Sequence, residues 1–549
     1  MRLAGLVLTL TLVAGTAAAL TIEAETAPIR SAGAAVKGSW NLHSNGHVGA
    51  GVAVAKAGRH TIIVRAHGTP AAGVWPRMVV RVGPTRIGQA TVDRREFADY
   101  RFEADLAAGT QKVLVEFDND AVVDGEDRNL YLDRIVIEAP PGAPEPAIAS
   151  FEDMAVEARK IEDAAVAQAS RDIETVRKSD VTLRIVGPDG RPAAGASVSA
   201  ELLRHEFLFG CNIYRFDHYD TAEKNAAYKR RFRELFNAAT VAFYWRGYER
   251  ERGKPRYPYT DTVVAWCREH GIRMKGHPLL WDHRAGRPRW ADDRQPPPDV
   301  QKQRVQEIVR RYAGKIEFWE VVNEPSHCRR VTIDQPYRWA RDADPKAYLI
   351  VNDYYVMANG YPPFHKLLTK AIADGVPFDG IGIQAHEPRT MRFPLDSVKR
   401  TLDHYAELGK ELHITEFTPT TGGQKITGSH VQGVWNEEAQ ADYAVKFYTV
   451  CFAHPAVVAI TWWDLCEDGA WLQGGGLLRK DLTPKKVYTD LRKLIHEDWH
   501  TQAEGKADAE GRFRFRGFHG TYAVTVNGKR FDVRVPRGAD AEIEVGRRE

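Results

Sequence analysis

The chain has 549 residues, 43% hydrophobic and 27% charged, with a formal net charge of +3. That length allows about three globular domains at roughly 100–200 residues each. A near-neutral balance with no long basic run excludes a dedicated nucleic-acid binder, and past the N-terminus no apolar run approaches the ~18 residues needed to cross a bilayer.

Residues 1–19 read as a signal peptide. Arg2 supplies the charge, 3–13 the apolar core, and Ala17-Ala18-Ala19 the small-residue cleavage site. A secreted or periplasmic monomer with no membrane partner is therefore expected. The five cysteines, Cys211, Cys267, Cys328, Cys451 and Cys466, have no metal-type spacing. A Cys451–Cys466 bridge and buried free thiols are both open.

Residues 20–139 read as an all-β sandwich, with period-two segments at 61–65, 78–82, 112–117 and 130–137 and Gly- or Asp-containing turns between them. Ile22-Glu23-Ala24-Glu25 opens this region. Asp118-Asn119-Asp120 and the stretch 124–129, with Asp124 and Asp127, form an acidic cluster near its end, and Asp133 lies on its last strand. Oxygen-rich loops on a β scaffold suit Ca2+, which takes about 6–8 oxygen ligands; a solvated acidic turn is the plainer alternative. The segment PPGAPEPAI at 140–148 is a Pro-rich linker, and 151–178 is charged, Ala-rich and helical in period.

Segments 179–203 and 501–549 hold short strands, with turns at Pro188-Asp189-Gly190, Glu510-Gly511 and Asn527-Gly528. Neither piece can bury a core alone. A closed barrel brings its first strand and last helix together, so the two pieces are expected to form one small β-sandwich interrupted in sequence by a barrel. Two separate hairpins on the barrel surface are the alternative. Between them, 204–500 alternates strand and helix eight times, with strands at 207–210, 240–244, 272–276, 316–322, 348–351, 381–384, 412–415 and 457–462. This is the pattern of a (β/α)8 TIM barrel. No glycine-rich phosphate loop follows any strand, which argues against an open nucleotide-binding sheet.

Polar residues collect at the predicted strand ends, the rim where barrel chemistry occurs. Trp319-Glu320-Val321-Val322-Asn323-Glu324-Pro325 is an apolar run ending in Asn-Glu-Pro. Pro325 cannot continue a ladder and biases Glu324 toward extended backbone. A second run, 412–416, also closes on a glutamate, Glu416. Two carboxylates at strand ends are the minimal apparatus of glycoside cleavage. Lys275, His277, Trp281, Gln384, His386, Trp463 and Trp471 fall at other strand ends or just beyond. Indoles offer flat apolar faces to sugar rings, while amides and imidazoles bind hydroxyls. With no His-x-x-x-His pair, a sugar suits this wall better than a cation, and no catalytic cofactor is expected.

These motifs resemble glycoside hydrolase family 10, best known for endo-β-1,4-xylanases. Phe207-Leu208-Phe209-Gly210 is similar to the family's opening strand, and Lys275-Gly276-His277-Pro278-Leu279-Leu280-Trp281 to its Lys-Gly-His-Thr-Leu-Val-Trp. The stretch 319–324 departs from Trp-Asp-Val-Val-Asn-Glu only at Glu320. Asn352-Asp353-Tyr354, Gly382-Ile383-Gln384-Ala385-His386, Ile414-Thr415-Glu416, Trp463 with Trp471, and Leu482-Thr483-Pro484-Lys485 follow in order. The resemblance implies retaining hydrolysis with Glu416 as nucleophile and Glu324 as acid and then base. It further implies that His386 orients Glu416, that Asn323 binds the 2-hydroxyl at the cleavage point, that His277 and Gln384 touch the same sugar, and that Trp463 and Trp471 roof it. Polysaccharide of the xylan type is the implied partner.

The second strand departs from the pattern. Where the family reads Phe-Asn-x-x-Thr-x-Glu-Asn-x-Met-Lys-Trp, this chain places Ala242, Phe243 and Arg246 at the Glu, Asn and Lys positions, and Asp282 stands where a His follows the Trp. Arg246 for Lys changes hydrogen-bond geometry and suits a uronic acid. An altered site for decorated xylan or another β-glycoside is one alternative, and a non-catalytic polysaccharide-binding protein is another. The N-terminal region resembles calcium-binding β-sandwich carbohydrate-binding modules. On that resemblance Glu23, Glu25 and Asp133 would hold a structural ion, and Asp120, Asp124 and Asp127 a second one facing ligand.

Overall fold

The computed structural model describes residues 18–546 except 293, 329 and 539. The predicted signal peptide lies almost wholly in 1–17, outside the described residues. The chain divides into two compact units, Met1–Ile161 and Glu162–Glu549. Among the described residues no helix is long and apolar enough to cross a membrane.

The first unit is a sandwich of two antiparallel sheets. One orders Ala34–Val36, Ser39–Leu42, Asn129–Glu138, Gly58–Thr69 and Ala98–Leu106, with Ala19–Glu23 also paired to Asn129–Glu138. The other orders Ala147–Ile148, Gly46–Val54, Gly109–Phe117, Arg77–Val82 and Thr85–Thr91. Alternate residues point inward, so Ile62, Val64 and Ala66 from one sheet and Val113, Val115 and Phe117 from the other share one buried core. The end of the Pro-rich stretch is not a bare linker, since Ala147 and Ile148 pair with Ala53 and Val52.

The second unit holds eight parallel strands: β1 (Leu208–Asn212), β2 (Ala238–Ala242), β3 (Arg273–His277), β4 (Phe318–Asn323), β5 (Tyr348–Asp353), β6 (Gly380–Ala385), β7 (Glu411–Phe417) and β8 (Val457–Trp462). Each pairs with the next, and β8 returns to β1 through Leu208 opposite Ala459 and Cys211 opposite Trp462, closing the barrel. Strand β2 ends two residues before the predicted Tyr244, because the chain turns there into the one-turn helix Trp245–Tyr248. The barrel floor is apolar, built from Leu208, Phe318, Ile350 and Ala459. Above it the interior turns polar, with Lys275, Glu320, Asn352, Gln384 and His413 all buried. This gradient puts the chemistry at the C-terminal rim. Gly276 is required by close approach: a Cβ there would lie 2.3 Å from the Trp319 ring.

Segments flanking the barrel form two facing sheets. One orders Arg512–Phe518, Lys178–Ile185 and Ala541–Val545, and the other Gln502–Lys506, Ser197–His205, Gly520–Val526 and Lys529–Val535. Each sheet draws strands from both sides of the barrel, as expected from the inability of either piece to bury a core alone. All five cysteines are free thiols, so Cys451 and Cys466 are not bridged.

Within the second unit, the helical stretch that begins at Glu162 is fastened to the barrel by a buried ion pair. Arg392 donates Nη1 to Glu162 Oε2 at 2.5 Å and Nη2 to Oε1 at 2.7 Å, and the two side chains are only 1% and 5% exposed. Without Glu162 the buried Arg392 keeps only the longer contact to the half-exposed Asp442, 3.4 Å away. Glu162→Ala is expected to destabilise the protein by about 3–5 kcal/mol in denaturant unfolding, whereas the apolar pair Glu162→Leu with Arg392→Met comes out near neutral. Equal losses in the two variants would show that packing, not charge pairing, fastens the helix.

Candidate active site

Glu324 follows β4 directly. Its N–H bonds to Asn352 O at 2.9 Å, and its carbonyl accepts from His327 N at 3.2 Å and Cys328 N at 2.8 Å. Its φ is +54°, in the left-handed region, so the extended backbone expected from Pro325 is incorrect. The three backbone bonds outweigh a local preference that costs about 1–2 kcal/mol to override. Strain of this kind collects at functional positions.

A line of close polar contacts links the two glutamates. Glu324 Oε2 accepts from Trp281 Nε1 at 2.9 Å, and its Oε1 accepts from Gln384 Nε2 at 3.0 Å. Gln384 Oε1 lies 3.1 Å from His386 Nε2, which in turn lies 3.4 Å from Glu416 Oε2. On the opposite side Asn352 Nδ2 donates to Glu416 Oε1 at 3.3 Å and to Asn323 Oδ1 at 3.0 Å, while Thr415 Oγ1 donates to Asn352 Oδ1 at 2.5 Å. Strands β4, β5, β6 and β7 thus each place a polar end group in one network.

Beneath it lies a buried carboxylate. Glu320 is wholly buried, accepts from Lys275 Nζ at 2.5 Å, and is hydrogen-bonded to His277 Nδ1. Burial alone would raise its pKa, but Lys275 and His277 outweigh burial and bring it down to about 2. Burial keeps His277 below its ordinary value despite Glu320. The neutral ring therefore donates from Nδ1 and accepts at Nε2 from the Tyr244 hydroxyl, 3.1 Å away. His277, Glu320 and Glu416 each bring one ligand atom within 4.8 Å of the others. Lys275 already supplies a positive charge there, so this cluster needs no cation.

Burial and nearby charge shape the two glutamates above it. Burial pushes Glu324 up to about 7, aided by the charge of Asp353 and opposed by the Gln384 and Trp281 hydrogen bonds. Glu416 is raised by burial and then by the charges of Glu320 and Glu324. Two like carboxyls under such pressure do not both ionise readily, so the pair tends to hold one proton. Burial holds His386 near 3, so its imidazole is neutral.

Aromatic rings frame the cleft. Trp463 is buried, with its ring centroid 5.4 Å from that of His277. Trp471 is 48% exposed, lies 4.7 Å from His386 and carries Arg389 over its face at 4.6 Å. Tyr244 faces His277 and Trp281, whereas Phe243 and Trp245 are core residues outside the strands, Phe243 against Tyr248, Tyr312 and Trp319, and Trp245 against Trp290 and Arg304. Arg246 is partly buried on the one-turn helix. Among the residues picked from sequence, Lys275, His277, Trp281, Asn323, Glu324, Gln384, His386, Glu416, Trp463 and Trp471 assemble around this cleft. Sequence reasoning missed Glu320 as a member of it, while Asn352, read at the end of the fifth strand, and Tyr244, read as either a sugar platform or a core ring, both join it. Inward alternation along β4 was the available signal for Glu320.

Residues 199–494 match the pattern of glycosyl hydrolase family 10. The chain belongs to glycosyl hydrolase family 10. Residues 61–151 match a Ca-dependent, xylan-binding carbohydrate-binding module. Relatives include anti-sigma-I factor RsgI6 of Acetivibrio thermocellus, 29% identical over 371 residues, covering 65% of this chain and 46% of that protein. Endo-1,4-beta-xylanase 1 of Arabidopsis thaliana is 28% identical over 379 residues, covering 66% and 38%. The chain thus spans less than half the length of these family relatives. A solved structure of xylanase 10B from Thermotoga petrophila RKU-1 with xylobiose is 25% identical, covering 53% of this chain and 95% of that one, with a TM-score of 0.45.

The N-terminal module offers one oxygen set suited to Ca2+. Asp120 Oδ1 and Asn129 Oδ1 are buried without a hydrogen-bond partner. Burial and the charge of Asp127 push Asp120 up to about 6, and Asn129 Nδ2 donates to Asp127 Oδ2 at 2.9 Å. Unpartnered, mutually repelling oxygens fit a hard cation. Asp124, exposed at φ +51° before Gly125, is accounted for by its Asp-Gly hairpin turn. The other set is less apt: Glu25 Oε2 is buried and unpartnered, but Glu23 is exposed and Asp133 already pairs with Arg65 and Arg134, each at 3.1 Å. Added Ca2+ is expected to raise the melting temperature of the N-terminal module, because an ion held only by the folded state stabilises it by about 2.7 kcal/mol at a hundredfold excess over Kd. Asp120→Asn should blunt the shift and Glu23→Gln should not; calorimetry with no calcium-dependent shift in the wild type returns the acidic cluster to a solvated turn.

Proposed function

We propose that the protein is a secreted retaining endo-β-1,4-glycanase of the xylanase type. The observation that carries this reading is the continuous link from Glu324 through Gln384 and His386 to Glu416 at the barrel's C-terminal rim. Glu324 gives its proton to the departing glycosidic oxygen while the Glu416 carboxylate attacks the anomeric carbon, forming a glycosyl ester. Glu324, now a carboxylate, takes a proton from water, which attacks the same carbon and frees Glu416; two inversions give net retention. Esterification removes the Glu416 charge, so the proton affinity of Glu324 falls just when it must act as base. Asn323 spends its Oδ1 on Asn352 and keeps its NH2 for a sugar hydroxyl. His386 orients Glu416, and Trp463 and Trp471 flank the ring. The match of residues 61–151 to a xylan-binding module and the xylanases among the relatives favour xylan as the polysaccharide. In that module Asp120, Asp127 and Asn129 would hold Ca2+, which supplies an electrophilic contact for sugar hydroxyls.

The stereochemical test is direct. NMR of the first-formed anomer on xylo-oligosaccharide should show retention, and Glu416→Ala with added azide should give product of inverted configuration; inversion by the wild type would sink the mechanism. The pH dependence follows from the raised carboxyls. The kcat/KM should fall above about pH 7 as Glu324 loses its proton. Glu320→Gln removes a negative charge that raises Glu416, so the acidic limb should move to lower pH. An acidic limb unmoved in a folded Glu320→Gln enzyme would remove Glu320 from that role.

A further inference from the structure

A second pocket, of about 150 Å³, opens between the segments that follow β1 and β2. Cavities of about this size hold a six-membered ring. Its walls include Tyr214, Tyr244, Tyr248, Tyr259 and Arg256, and Ala242 presents only a methyl group to it. It adjoins the catalytic cleft through shared walls: the Tyr214 ring stands edge-on to Trp463 at 5.7 Å, and the Tyr244 hydroxyl reaches His277.

The charges around this pocket are unbalanced. The carboxylates on the two flanking segments are committed elsewhere. Asp217 pairs with Lys229 at 2.7 Å, Asp220 with Lys224 at 2.8 Å and Glu251 with Lys254 at 2.6 Å. Glu249 accepts from the Trp245 indole and the Gly253 amide. Arg256 lies with its guanidinium 4.6 Å from the Tyr259 ring centroid and has no carboxylate partner among the described residues. Arg256 is also the N-cap of the helix Tyr257–Glu269, whose first turn has no side-chain cap. Tyr259 and Thr260 of that turn line the pocket. A guanidinium and the positive end of a helix therefore face the same space, walled by phenol rings that suit the faces of a sugar.

We propose that this pocket receives an acidic substituent of the polysaccharide, a uronosyl ring whose carboxylate pairs with Arg256. The proposal rests on the reading of the barrel as a xylan hydrolase and names the decoration it prefers. A planar guanidinium binds a carboxylate through two parallel hydrogen bonds, which a lysine cannot reproduce.

The test compares three substrates with the full-length protein: linear xylohexaose, the same chain bearing one glucuronosyl branch, and that branch with its carboxyl reduced to the alcohol. The wild type should favour the acidic branch over the reduced one by about tenfold or more in kcat/KM, the scale of a hydrogen bond to a charged group. In Arg256→Ala that ratio should collapse toward one, with Arg256→Lys between the two. A wild-type ratio near one overturns the proposal without any variant, and so does a ratio that Arg256→Ala leaves intact. Turnover of the linear chain with no acidic preference refutes the pocket alone, whereas no turnover of any of the three overturns the xylanase reading and this inference with it.

Discussion

A single buried carboxylate organises the site. Glu320 sits inside the barrel with no access to water, held ionised by Lys275 and His277. An isolated charge there would be costly, so the three groups stand or fall together. Their arrangement decides several things above them. It sets the tautomer of His277, which then accepts from Tyr244. It places a fixed negative charge under Glu416, raising that carboxyl. Burial of both glutamates, with the charges of Glu320 and Glu324 acting on Glu416, favours a state in which one proton is shared between the pair, which is what a catalyst that must both donate and accept a proton needs.

The apolar floor and the polar rim of the barrel have separate duties. Leu208, Phe318, Ile350 and Ala459 fill the N-terminal end and carry stability. The rim carries strain and buried polarity: Glu324 has positive φ, and His386 Nδ1 and Thr418 Oγ1 are buried without partners. Such groups weaken the fold locally and are tolerated because the closed ladder of eight strands below them is intact.

Much of this was legible in the chain. Barrel strands buried on both faces read as short apolar runs, and the residues that close those runs are the ones the fold gathers at one rim. Asn323-Glu324 and Glu416 stood out for that reason. What was not legible depends on partners far away in sequence. Pro325 argued for extended backbone at Glu324, but bonds to Asn352, His327 and Cys328 decide its conformation. The run Phe243-Tyr244-Trp245 does not by itself settle which ring faces the cleft; only the turn after β2 sends Tyr244 inward and its neighbours to the core. Asp133 looked like an ion ligand until Arg65, distant in sequence, was seen beside it. That Arg256 has no carboxylate partner among the described residues emerges only when the acids on both neighbouring segments are seen to be engaged elsewhere.

The account turns on Glu416 forming a covalent bond to the sugar. Incubation with a 2-deoxy-2-fluoro xylobioside carrying an activated leaving group slows both steps but forms the ester faster than it is hydrolysed. Peptide mapping by mass spectrometry should then find one equivalent of the fluorosugar on the peptide containing Glu416. A label on Glu324, or complete inactivity toward this reagent by an enzyme that hydrolyses xylan, would contradict the mechanism.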